Sequence, residues 1–212
     1  MPSWCGNANM RTILAAAWPQ AAVVLCRNLV QLTDVAVLGW LGTDELAAVA
    51  FAQIVINLSS VMLFQGFGDA LITLASQAIG ARNPKLAGIW LQTSLVFISV
   101  LAIPIAVLWW YGGAVLGLAG ELIGPKIRDL ATVFTRWSII WLLPDSLYCA
   151  FSQWLNAQQK VKPTLLINVV FVFWNIGANV FLVHGAFGWN GLGFIGSPLA
   201  TASTKIVRGA CL

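Results

Sequence analysis

The chain has 212 residues, 59% of them hydrophobic and 8% charged, with a formal net charge of +4 and a mean hydropathy of +0.86. A soluble domain carries about 25% charged residues, so this composition cannot build a wettable surface and predicts an all-α, polytopic membrane bundle. The Lys and Arg residues sit in short connections rather than on one face, which excludes nucleic-acid binding.

A helix needs about 20 apolar residues to cross the hydrocarbon. On that measure the chain divides into about six transmembrane helices with short loops, the sixth incomplete. Residues 1–11 form an N-terminal segment, 12–203 the membrane domain and 204–212 an atypical or truncated tail. Helix 1 is predicted from Thr12 to Gly39 and is too long for a signal peptide. After a turn at Gly42–Glu45, where Thr43 or Asp44 is the expected N-cap, helix 2 runs from Glu45 to Ala81. It exceeds one straight span, and Gly66 and Gly68 are the expected bend points. A basic turn at Ala81–Lys85 leads to helix 3, Leu86 to Tyr111. Gly112 to Asp129 reads as a Gly-rich loop with a short interfacial helix. Helix 4 spans Leu130 to Gln158, with Pro144 and Asp145 inside. A second basic turn, Gln159–Pro163, precedes helix 5, Thr164 to His184. A Gly-rich loop follows to Gly196, and helix 6 begins near Ser197.

Loop charge predicts orientation. With a cytoplasmic N-terminus, inside loops hold Arg11, Arg82, Lys85, Lys160 and Lys162, and outside loops hold Lys126 and Arg128; the bias favours N-inside. Only about eight apolar residues follow Gly196 before Lys205 and Arg208, so KIVRGACL reads as a truncated end. Cys5, Cys26, Cys149 and Cys211 show no metal spacing and read as small packing residues. Trp109, Trp110 and Trp189, near helix ends, read as interface anchors.

Asp34 is the most informative residue. It lies in the apolar run LVQLTDVAVLGWLG, Leu29 to Gly42. An intramembrane carboxylate is costly and marks an ion or substrate pathway. Gln20, Arg27, Gln31 and Asp34 are spaced 7, 4 and 3, one helical stripe that must face a bundle or cavity. A structural Arg27–Asp34 pair is the plainer alternative, although about 10 Å of helix axis separates them. On helix 5, Asn168, Asn175 and Asn179 form a second stripe, read either as interhelical glue or as ion ligands. Asp34 and Asn179 each lie five residues from the outer end of their helix, which sets them at one depth. Asp69, Thr73 and Gln77 form a stripe on helix 2, with Asp69 lining the cavity or pairing with Arg136. Asp145 is expected at a proline kink, its charge on the freed backbone. His184 reads as an interfacial residue. No HExxH, GxSxG, Walker or GxGxxG motif occurs, so the chain reads as no enzyme and no ATPase.

Four segments carry a family resemblance. Thr33 to Ala52 (TDVAVLGWLGTDELAAVAFA) resembles the first signature of the multidrug and toxic compound extrusion (MATE) transporters. Leu74 to Ser94 (LASQAIGARNPKLAGIWLQTS), Trp154 to Pro163 (WLNAQQKVKP) and Asn175 to Pro198 resemble their later junctions, in order and spacing. The resemblance covers about residues 12 to 203, the N-terminal lobe, and the wording GIWLQTS is closer to eukaryotic members. It implies twelve helices in two six-helix lobes and export of organic cations or other amphipathic small molecules in exchange for H+ or Na+, with no cofactor. The location it implies is a plasma, vacuolar or other organelle membrane.

By the same resemblance Asp34, Asn175 and Asn179 are the ion-coupling residues; the stripes themselves offer Gln31, Arg27, Asp69 and Gln77 as cavity candidates. Asn179 is neutral where some prokaryotic members have an acid. Ile72 stands where many eukaryotic members carry one, with Asp69 one turn earlier as the substitute on offer. The expected partner is a C-terminal lobe or a second copy. A flippase for lipid-linked sugars, which would need a cavity rich in Arg and Lys, and a non-transporting fragment are the alternatives.

Overall fold

The computed structural model describes residues 7–117, 124–185 and 191–211. Every regular element among them is helical. In chain order these are α1 (Asn7–Gly39), α2 (Thr43–Ile56), a π-helical turn (Asn57–Val61), α3 (Met62–Gly80), α4 (Pro84–Trp110), α5 (Gly112–Gly117), α6 (Pro125–Ala157), α7 (Val161–Asn179), a second π-helical turn (Val180–His184), a 3-10 turn (Gly193–Ile195) and α8 (Gly196–Ala210). Cys5, Trp189 and the side chain of His184 lie outside the described residues.

Four stretches are long and apolar enough to cross a membrane: Ala17–Gly39, Thr43–Gly80, Pro84–Trp110 and Val161–Val183. The two other helices of the expected bundle, α6 and α8, fall outside that set, and they hold Asp145, Lys205 and Arg208. The surface is inverted relative to a soluble protein. Leu25, Leu32, Val100, Ile103, Leu166 and Phe173 point outward, whereas Asp34, Asn175 and Asn179 are buried. That is the arrangement hydrocarbon requires, because lipid welcomes apolar side chains and excludes unpaired polar ones.

Helix α6 is the hub. It packs against α2, α3, α4, α7 and α8, while α1 leans mainly on α7. The two basic turns are built alike. Arg82 and Gln159 adopt left-handed backbone, with φ of 57° and 60°. At the first, Asn83 N–H reaches Ala78 O at 2.9 Å and Arg82 N–H reaches Ile79 O at 3.0 Å; at the second, Lys160 N–H reaches Leu155 O at 3.0 Å and Gln159 N–H reaches Asn156 O at 2.9 Å. This is the Schellman closure, which satisfies the last carbonyls of a helix. Asn83 then caps α4 by accepting from Leu86 N–H at 3.2 Å, with Pro84 in the first turn.

Several expectations need correction. Helix α2 starts at Thr43, and its N-cap is Gly42 without a side-chain bond. Asp44 is a first-turn residue, where it binds Lys126 Nζ at 2.7 Å. That hydrogen bond and the carboxylate's charge hold the Lys126 ammonium above its usual value. The irregularity in the long second hydrophobic stretch is not at Gly66 or Gly68 but at Asn57–Val61. There the Ser59 and Ser60 hydroxyls donate to Val55 O at 2.5 Å and Ile56 O at 2.8 Å, competing with the backbone ladder. Trp109 is no interface anchor. It is fully buried, its Nε1–H donates to Ser59 Oγ at 2.8 Å, and its ring meets Trp141 edge-on at 5.3 Å. Trp110 is exposed, as an anchor should be.

Candidate functional site

The stripe on α1 borders two cavities, with Asp34 buried, Gln20 half-buried, and Arg27 and Gln31 exposed. Gln20 and Arg27 border a cavity of about 150 Å³, and Arg27, Gln31 and Asp34 border a second of about 100 Å³. Arg27, Val61, Trp141, Asp145 and Arg208 wall both, so the two adjoin. The π-helical turn sets Asn57 on the smaller cavity and Ser60 on the larger one.

Asp34 is held from two neighbouring helices. Asn179 Nδ2 of α7 donates to its Oδ1 at 2.8 Å, and Thr201 Oγ1 of α8 donates to its Oδ2 at 2.8 Å. Asn179 Nδ2 also reaches Asn175 O at 3.1 Å and Asn175 Oδ1 at 3.2 Å, while Asn175 Nδ2 points to Thr204 Oγ1 at 3.5 Å. The result is one continuous polar chain of buried residues, Asp34–Asn179–Asn175–Thr204. Its remaining acceptor is Asn179 Oδ1, buried and without a partner among the described residues. The predicted meeting of Asp34 and Asn179 is therefore present. Both stand near the C-terminal ends of their helices, Asp34 in α1 and Asn179 at the last residue of α7, and there their side chains meet. Asp34 and Arg27 do not pair; Asp34 instead takes neutral donors.

The third polar residue of α7 serves elsewhere. Asn168 Nδ2 donates to Tyr148 Oη and to Thr164 O, both at 2.7 Å, and its Oδ1 accepts from Arg208 Nη1 at 3.3 Å. Asp145 does not lend its charge to backbone freed by Pro144. It binds Lys205 Nζ at 3.2 Å and Arg208 Nη2 in a close pair. The two cations also lie over aromatic faces, Lys205 at 3.0 Å from the Trp141 ring centroid and Arg208 at 4.2 Å from that of Tyr148. A buried pair is expensive to desolvate, and this one offsets the cost with two ion contacts and two rings.

Asp69 and Gln77 border neither cavity. Asp69 is exposed on α3, accepting from Gln65 Nε2 at 3.0 Å and from Gln153 Nε2 at 3.5 Å. Arg136 does not meet it: Arg136 Nε donates to Trp110 O at 3.1 Å, and its guanidinium lies 5.3 Å from the Trp110 ring centroid. The residues that sequence reasoning missed are Thr201, Thr204, Lys205 and Arg208 of α8. Their spacing of 3, 1 and 3 is itself a helical stripe, visible once α8 is allowed to continue past Lys205. No group of three His, Cys, Asp or Glu able to hold a metal occurs among the described residues. The Asp34 carboxylate, Thr201 Oγ1 and the unpaired Asn179 Oδ1 bring oxygen atoms together here, alongside the Asn179 amide nitrogen, and such oxygens suit a proton or a hard cation.

Comparison with known proteins follows this geometry. The family model described as MatE matches residues 19–181, well over half of the chain. Protein DETOXIFICATION 11 of Arabidopsis thaliana is 27% identical over 199 residues, a match covering 92% of this chain and 39% of that protein. A probable multidrug resistance protein NorM of Rhodopseudomonas palustris is 31% identical over 186 residues, covering 88% and 39%. The crystal structure of the eukaryotic MATE transporter AtDTX14 superposes with a TM-score of 0.87 at 24% identity, covering 95% of this chain and 44% of that one. The chain thus spans about two-fifths of the length of the curated relatives it matches.

Proposed function

Because the chain belongs to the MatE family of membrane transporters, we propose that it forms the N-terminal lobe of a secondary antiporter, one that exports an amphipathic organic compound in exchange for H+ or Na+ at Asp34. The observation that carries this reading is the Asp34 cradle: one carboxylate, set beside a cavity, held by donors from two other helices.

The chemistry follows from hydrogen-bond inventory. Ionised Asp34 accepts from both Asn179 and Thr201. A protonated carboxyl becomes a donor at one oxygen and a poorer acceptor there, so the bond at that oxygen weakens or reverses. A bound cation such as Na+ would compete for the same oxygens and recruit Asn179 Oδ1. Either event loosens α1 from α7 and α8, and α1 and α8 both wall the smaller cavity. Shifting a two-state equilibrium from 1:99 to 99:1 takes about 5.5 kcal/mol of differential affinity. Two hydrogen bonds to a charged group contribute about 3–6 kcal/mol, so the cradle is large enough to drive the change. Alternating access then needs a second body to rock against, a C-terminal lobe or another copy of this one.

Asp34→Asn keeps the shape of the side chain and removes its titration. In cells producing the transporter, ion-gradient-dependent efflux is expected to vanish while membrane insertion persists; efflux at the wild-type rate sinks the reading. A lipid-linked sugar flippase is favoured by one feature, the basic residues Arg27, Lys205 and Arg208 on the cavity walls. The cavities, about 150 and 100 Å³, are small beside the 300–1,000 Å³ of ordinary ligand pockets, which supports a compact substrate.

A further inference from the structure

The charge of the cavity walls goes beyond the ion-coupling role of Asp34. Three cationic side chains, Arg27, Lys205 and Arg208, face two carboxylates, Asp34 and Asp145. Both carboxylates already have partners inside the protein. Each oxygen of Asp34 accepts one hydrogen bond, from Asn179 and from Thr201, and Asp145 is shared between Lys205 and Arg208.

The cations are less fully committed. Arg27 borders both cavities and makes no hydrogen bond or ion pair among the described residues. Arg208 borders both as well. It is nine-tenths buried, and although its Nη atoms bind Asp145 and Asn168, its Nε–H has no partner. A buried guanidinium N–H left unpaired costs free energy until an acceptor arrives. Apolar walls stand beside these donors, from Phe64 and Trp141.

We infer that this cavity binds an amphipathic organic anion: a carboxylate, sulfonate or phosphate group seated between Arg27 and Arg208, with its aromatic or aliphatic body against Phe64. The inference rests on the transport reading for its biological sense, since it names the charge of the exported compound. Its physical content is a binding site and stands or falls separately. A guanidinium suits this role because its planar fork matches two oxygens of an oxyanion. A cationic compound would meet the charge of Arg27, which makes no ion pair of its own. The same donors would accept the phosphate of an anionic lipid as readily as a water-borne anion.

The test uses the full chain in phosphatidylcholine nanodiscs and two probes with one aromatic body, naphthalene-2-sulfonate and naphthalen-2-yl-trimethylammonium, titrated by calorimetry. The sulfonate is expected to bind about tenfold or more tightly than the ammonium, the size of one charge-assisted hydrogen bond. Arg27→Gln is expected to remove that preference and Arg27→Lys to keep part of it. Arg27 makes no structural bond, so both variants are expected to keep the wild-type melting curve. Ammonium binding as tight as sulfonate, sulfonate affinity unchanged in Arg27→Gln, or no binding of either probe overturns the inference.

Discs containing phosphatidylglycerol separate the two sources. Unchanged sulfonate affinity assigns the site to a water-borne anion, and displacement of the probe assigns it to a lipid phosphate; both uphold an anion site. Asp34→Asn distinguishes this inference from the coupling reading. Sulfonate binding should persist in it even if efflux proves independent of Asp34, and loss of coupled efflux in it says nothing in favour of an anion.

Discussion

Asp145→Asn exchanges a carboxylate for an amide of nearly the same shape and strands two cations. Lys205 and Arg208 both bind Asp145, and the three side chains keep only 18%, 10% and 26% of their surface exposed, respectively. Removing one partner of a buried ion pair costs about 3–5 kcal/mol. The cavities let water reach this cluster, and the Trp141 and Tyr148 rings retain some hold on the cations, so the lower end applies, about 3 kcal/mol. That is roughly a hundredfold in the unfolding equilibrium.

Lys205→Met alone is expected to cost only about 1 kcal/mol, because Arg208 still neutralises Asp145. In the double variant one stranded charge is gone, and about 1–2 kcal/mol of the Asp145→Asn loss is expected to return. Equilibrium unfolding of the purified chain in mixed micelles, followed by tryptophan fluorescence, measures all three. An Asp145→Asn variant as stable as the wild type, or single costs that merely add in the double variant, would refute the account of α6–α8 docking.

Two glycines give opposite expectations. A Cβ on Gly196 would lie 2.4 Å from Leu182 O and 2.6 Å from Leu182 C, backbone atoms that cannot rotate away, so Gly196→Ala is expected to lose about 1–3 kcal/mol, read as a lower midpoint in the same unfolding assay. A Cβ on Gly66 meets nothing within 4 Å and Gly66 lies inside α3; Gly66→Ala is expected to hold or raise stability, by up to about 1 kcal/mol, and a clear loss there would restore the glycine as a bend point.

The lengths of the apolar runs, the places of the two basic turns and the polar stripes on α1 and α7 were legible in the sequence. Each depends on local physics: a span follows from about 20 apolar residues, a turn from a few backbone bonds, and a stripe from the 3.6-residue period. Asp34 and Asn179 could be matched because each sits on such a stripe at a countable depth. Thr201 could not, since its helix was read as ending before Lys205. Only the packed bundle decided that Asp145 neutralises Lys205 and Arg208 rather than freed backbone, that Trp109 turns inward to Ser59, and that the long second stretch is disturbed at its serines rather than its glycines. Partners such as Asp34 and Thr201 stand 167 positions apart in the chain. Periodicity states which way a side chain points on its own helix. Which groups meet depends on how each helix is rotated and shifted against its neighbours, a choice made by the close packing of all of them at once.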